Sequence, residues 1–172
     1  MENNNKKYYT FLNIQKCEGK NGGTYNGVTA ILNLTNIETK MTGDGKKVVT
    51  SRAAINNRTN LLNTALGCNL VDKDGAVWVS VDFWDDRAER FQKFIGNNTK
   101  ARLVIVGSIA ARKFTKNDGT EGESVTIRVN DWQSLGNTSE GATTAPTTAS
   151  TAPAASAPQN NIPVVEDDDL PF

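Results

Sequence analysis

The chain has 172 residues, with 19 lysines and arginines against 19 aspartates and glutamates. That balance hides a split: residues 1–133 hold every cation and 14 of the acids, while residues 134–172 hold five acids and all five prolines. A proline-free, mildly basic domain is thus followed by an acidic segment, and the complete absence of histidine removes the commonest general base and metal ligand.

The two cysteines, Cys17 and Cys68, are too far apart to read as a zinc pattern or a disulfide framework, so both are expected to be reduced thiols. No apolar run approaches the roughly 20 residues of a membrane span, and the first residues lack the apolar stretch of a signal peptide. The expectation is a cytoplasmic protein with no membrane partner, metal or cofactor.

Residues 8–16 and 28–34 read as strands, separated by the turn-rich stretch 19–27. A turn over 41–47 leads to a strand at 48–55. Residues 56–75 form a long polar connection with a short helical piece around 61–66. Residues 78–84 make a strand of clean alternation. A helix follows, with Asp85 as its cap, Asp86 placed to favour the helix dipole, and Ala88, Phe91 and Ile95 on one stripe. Gly96-Asn-Asn closes it. Residues 103–109 are apolar on both faces, as in a central strand, and Gly107 fits a bulge or bend. Residues 112–115 and 124–129 flank a turn at 117–119 and form a hairpin. Strands, one helix, then more strands, with no proline inside, predict an all-β protein: a five-stranded barrel of the OB type.

Two segments within this order carry chemistry. In 78–84, Val79, Val81 and Phe83 share one face, and Trp78, Ser80, Asp82 and Trp84 the other. Two tryptophans on the polar face are covered by solvent, by another subunit, or by a ligand with flat apolar rings, and nucleobases are such a ligand. The stretch Arg112-Lys-Phe-Thr-Lys116 interleaves cations with Phe114. Strand alternation turns Arg52 and Arg128 outward as well. A cationic groove with aromatic platforms is what sequence-tolerant single-strand binding requires. Asp82, Asp85 and Asp86 also admit a second reading, the magnesium site of a nuclease, although a helix cap and dipole partners account for two of them.

Beyond residue 135 the composition changes. Residues 136–163 are almost all Ala, Thr, Ser, Pro, Gly and Asn, with a single charge, Glu140, and only Ile162 large and apolar, the signature of a flexible linker. It leads to Val164-Val-Glu-Asp-Asp-Asp-Leu-Pro-Phe172, whose acids and final aromatic suggest a docking peptide.

Taken in order, these stretches resemble the bacterial and phage single-stranded-DNA-binding proteins. Ile31-Leu-Asn-Leu-Thr, Glu38-Thr-Lys, Gly45, Val48-Val-Thr and Ala54-Ile-Asn resemble that family's first two strands. Phe83-Trp-Asp-Asp-Arg-Ala-Glu89 resembles its strand-to-helix junction, and 107–119 its last hairpin. Asp167-Asp-Asp-Leu-Pro-Phe172 is similar to its acidic tip. The resemblance implies base stacking on Trp78, Trp84 and Phe114, and backbone contacts from Lys40, Arg112 and Lys113. It implies recruitment of replication, recombination and repair enzymes through Asp167, Asp168, Asp169, Leu170, Pro171 and Phe172. It also implies a homo-oligomer, a tetramer, in a bacterial cell or encoded by a phage. The chain departs from the family in three places: no aromatic stands near Thr59, Ala110 replaces a common Arg, and Asp86 a common Lys.

The expectation is therefore an N-terminal extension over 1–27 that adds a hairpin, an OB domain over 28–135, a linker over 136–163 and a docking tip over 164–172. The domain would bind single-stranded DNA without catalysis, with an RNA-binding regulator and a metal-dependent nuclease as the alternatives.

Overall fold

In the computed structural model of the chain, residues 7–136 are described; the expected linker and tip, from 137 onward, lie outside them. Six strands and two helices follow in the order β1 (Leu12–Glu18), β2 (Thr24–Met41), β3 (Lys47–Asn56), α1 (Thr59–Leu66), β4 (Ala76–Trp84), α2 (Asp86–Ile95), β5 (Ala101–Thr115) and β6 (Glu121–Ser134). The sheet runs β1-β2-β3-β4-β6-β5, and β2 also pairs with β5. That last pairing closes β2, β3, β4, β6 and β5 into a ring, the OB barrel expected from the sequence. Neighbouring strands are antiparallel in every pair but one. The crossover through α2 carries β5 back beside β2, so β6 meets β4 in parallel, Val79 opposite Val125.

Strand β2 belongs to two edges at once. Its first half pairs with β5, from Gly27 opposite Ser108 to Leu34 opposite Ala101, and its second half with β3. A bulge between Thr35 and Glu38, with Asn36 at φ 51, bends it between the two. Strand β1 pairs along the first half, Leu12 opposite Ala30 and Glu18 opposite Thr24. The β1–β2 hairpin thus runs without a break into the barrel.

The expected bend at Gly107 is present, with the extra residue on the opposite strand. Gly107 pairs with Val129 and Val106 with Asp131, which leaves Asn130 unmatched. A side chain at 107 would run into the backbone of Arg128 and Val129, so only glycine permits this approach. The Asn130 carbonyl accepts a hydrogen bond from Arg87 Nε of α2 at 2.7 Å.

Alternating residues of all five barrel strands fill the interior, among them Leu32, Ile55, Val81, Leu103 and Ile127. Helix α2 lies against it by the stripe read from the sequence: Ala88, Phe91 and Ile95 are buried. The Phe91 ring stacks on Phe83 at 4.0 Å and meets Trp132 edge-on at 5.4 Å. A second helix, α1, forms where a short helical piece was expected, and its Leu62 joins the core.

One local expectation fails. Asp85 occupies the position before α2, but its side chain makes no capping hydrogen bond. The reversal from β4 into α2 holds Asp85 at φ 53, ψ −129, outside the extended conformation from which a side chain caps. Its backbone does the work instead: the N–H donates to Lys47 O, and the carbonyl accepts from Glu89 N. Asp86 and Glu89 lie in the first turn, where the dipole favours them.

Candidate nucleic-acid interface

The alternation of β4 decides the site. Val77, Val79, Val81 and Phe83 are buried, so Trp78, Ser80, Asp82 and Trp84 point out of the barrel. Trp78 is 53% exposed, an unusual cost for so large a ring on a rigid strand. Trp84 is partly covered by the Arg128 guanidinium, 5.3 Å from its centre.

Neighbouring strands bring cations to this face. Arg52 of β3 stands opposite Ser80, and Arg128 of β6 opposite Asp82. Burial pushes the Asp82 carboxyl above its ordinary value of 3.8, while the charges of Arg112, Lys40 and Arg128 pull against that rise. Three cations from three strands therefore lie near enough to one half-buried carboxylate for their charges to act on it. Lys40 also touches Glu38 at 3.2 Å, an exposed pair of little energetic weight.

The second cluster lies where the β5–β6 hairpin projects beyond the barrel. Phe114 pairs with Gly122, and its ring lies over that glycine, where any side chain would collide with it. Trp78 and Phe114 line one groove of about 590 Å³ together with Lys113, Lys73 and Lys116; Glu121 and Glu123 are its carboxylates. Two exposed rings in one cationic groove can stack flat heterocycles while the ammonium groups meet phosphates.

The chain is similar to a known single-stranded-DNA-binding protein. A protein of that name from Chlamydia pneumoniae is 24% identical over 92 residues, which make up 54% of this chain and 49% of the relative. The match thus spans about half the length of that relative. Among solved structures, the mitochondrial single-stranded-DNA-binding protein of S. cerevisiae aligns with a TM-score of 0.43 at 11% identity, over 66% of this chain and 97% of that one. No protein-family model matches the chain.

Of the residues singled out from the sequence, Trp78, Lys113 and Phe114 share the groove, and Lys40, Arg112 and Arg128 surround Asp82 beside Trp84. Arg52 flanks the row between them. The six residues Asp167, Asp168, Asp169, Leu170, Pro171 and Phe172 lie outside the described part. The three aspartates of the nuclease reading do not gather: Asp82 sits among cations, and among the described residues no group of three acids or cysteines is placed to hold a metal. Sequence reading missed Lys73, which a turn between Leu70 and Ala76 carries to the groove from outside any periodic segment.

Proposed function

We propose that this protein binds single-stranded DNA with little sequence preference, by stacking bases on Trp78, Phe114 and Trp84 and by neutralising phosphates with Lys40, Arg52, Arg112, Lys113 and Arg128. The observation that carries the reading is the pairing of two exposed rings, Trp78 and Phe114, with Lys113 in one groove of an OB barrel. The similarity to a protein named for this activity supports it. The role is non-catalytic: a strand laid here is held and shielded. We extend the reading to the acidic segment 164–172 as a docking site for replication, recombination and repair enzymes, to a cytoplasmic location, and to a homo-oligomeric state.

The test is titration of intrinsic tryptophan fluorescence with oligo-dT, since a base stacked on indole quenches it. Trp78→Ala should weaken binding by about 1–3 kcal/mol and leave thermal stability unchanged, because its inward neighbours hold the strand. Duplex DNA of equal length should bind far more weakly, its bases being already stacked. Tighter binding of oligo-rU than of oligo-dT would move the assignment to RNA, because stacking does not read the sugar.

A further inference from the structure

Before β1, residues 8–11 run without regular structure, yet their backbone is tied down. Thr10 N donates to Asn56 O at 3.2 Å, Asn56 N to Thr10 Oγ1 at 2.9 Å, and Ile31 N to Phe11 O at 3.1 Å. Asn57 Nδ2 donates to Tyr8 O at 2.6 Å and Arg58 Nε to Thr10 O at 2.9 Å. Thr10 is 2% exposed, whereas Tyr8, Tyr9 and Phe11 are 55, 51 and 53% exposed. A fixed backbone therefore holds three aromatic rings out toward solvent, which the burial of Thr10 alone does not explain.

Tyr9 has a particular setting. The Arg58 guanidinium lies 5.3 Å from its ring centre. Both residues line a hollow of about 410 Å³ with Lys7, Asn57 and Asn60; Asp72, also in the lining, accepts a hydrogen bond from Thr59 Oγ1 at 2.9 Å. Two cations against one carboxylate leave the hollow positive. Arg58 is held by its bond to Thr10 O, so the ring and the cation form a fixed pair.

The hollow opens off the end of the strand pair that carries Trp78. Ala54 stands opposite Trp78 and Asn56 opposite Ala76. Arg58 follows Ala54 by four residues, at most about 14 Å of chain. The two hollows are also neighbours in the chain: Asp72 lines the one with Tyr9, and Lys73 the groove with Trp78.

We propose that Tyr9, backed by Arg58, is a further base-stacking platform that lengthens the DNA path beyond the β4 face. The occupant is a base of the same strand, because the hollow pairs an exposed ring with a cation as the Trp78 groove does and adjoins it through Asp72 and Lys73. This inference rests on the single-strand reading above.

The experiment compares full-length wild type, Tyr9→Ala, Tyr9→Phe and Trp78→Ala, titrated with oligo-dT of about 6 and about 30 nucleotides, lengths that fall within and beyond the reach of one OB face. Tyr9→Ala should weaken the long oligonucleotide by about 5- to 10-fold and leave the short one unchanged, and Tyr9→Phe should bind both like wild type. Thermal melts check that each variant folds; the Tyr9 side chain makes none of the bonds that fix its segment. If Tyr9→Ala matches wild type at both lengths while Trp78→Ala weakens both, the platform is refuted and the single-strand reading stands. Equal loss at both lengths refutes the path extension. If wild type binds neither length, the single-strand reading fails and takes this inference with it.

Discussion

Asp82 is the residue whose place on the interface most needs a physical account. It is an acid at the centre of a surface read here as a phosphate path, facing Arg112, Lys40 and Arg128. Its carboxyl is raised above 3.8, chiefly because burial disfavours the charged form. The sign follows: the folded state holds the proton more tightly than the unfolded chain. What this group contributes to stability is therefore fully present below 3.8 and is lost as pH rises through the higher folded value. Binding changes in the same direction, since protonation removes a negative charge from the path of an anion. With no histidine in the chain, carboxylates dominate titration between neutral pH and 4. Oligo-dT should thus bind more tightly as pH falls from 7 toward the raised Asp82 value. Asp82→Asn should bind about 2- to 5-fold more tightly at pH 7 and low salt, and lose much of that pH dependence. Affinities measured across this range decide it; a variant that tracks wild type at every pH would show that the carboxylate lies off the DNA path.

At the level of elements, period-two alternation carried most of the barrel and failed where a bulge reversed it. Along β4 the pattern is unbroken, so both the buried Val79, Val81 and Phe83 and the outward Trp78 and Trp84 were legible. Along β6, Val125, Ile127 and Val129 turn inward as alternation requires. The extra residue Asn130 then shifts the phase by one, so Trp132 rather than Asp131 turns toward the core, where it meets Phe91 and Phe94. No count along the sequence reveals that shift, though Gly107 on the facing strand marks its place. The same happens in β2, where the bulge at Asn36 brings Ile37 onto the core. The Tyr9–Arg58 pair was illegible for another reason: it joins positions 49 residues apart, with Arg58 held by a side-chain bond to the Thr10 carbonyl, which leaves no residue pattern. The Asp85 cap failed because the local sequence names the capping position but not the φ that the reversal imposes. The bulge supplies its own test. Gly107→Ala places a methyl against the Arg128 carbonyl and the Val129 Cα, both backbone and unable to move aside. It should cost about 1–3 kcal/mol of stability, seen in a denaturant melt, and a wild-type midpoint would show that the strands separate here at little cost.

For the molecule as a whole, charge is partitioned along the chain rather than mixed. Residues 1–133 carry five more cations than acids, and residues 134–172 carry five acids with no cation at all. Electrostatics alone predicts that the acidic charge of 134–172 opposes binding of a polyanion to the basic residues of 1–133. The acidic segment also carries Leu170 and Phe172, apolar groups that a purely solubilising run would not need and that suit an apolar pocket rimmed by Lys or Arg on a partner enzyme. In the proposed reading, competition would depend on the acids and docking on the apolar pair, so substitutions separate them. Deleting residues 166–172 removes four of the five acids and should tighten oligo-dT binding at low salt, an effect that fades as salt screens the charges. Phe172→Ala leaves every charge in place and should leave oligo-dT affinity equal, while abolishing the pulldown of replication and recombination enzymes from a host lysate. Retention of those enzymes by Phe172→Ala would reduce the segment to a solubilising acidic run. Loss of oligo-dT binding on deletion would make residues 166–172 part of the DNA-binding surface, and the division between a basic binding domain and an acidic docking segment would fail.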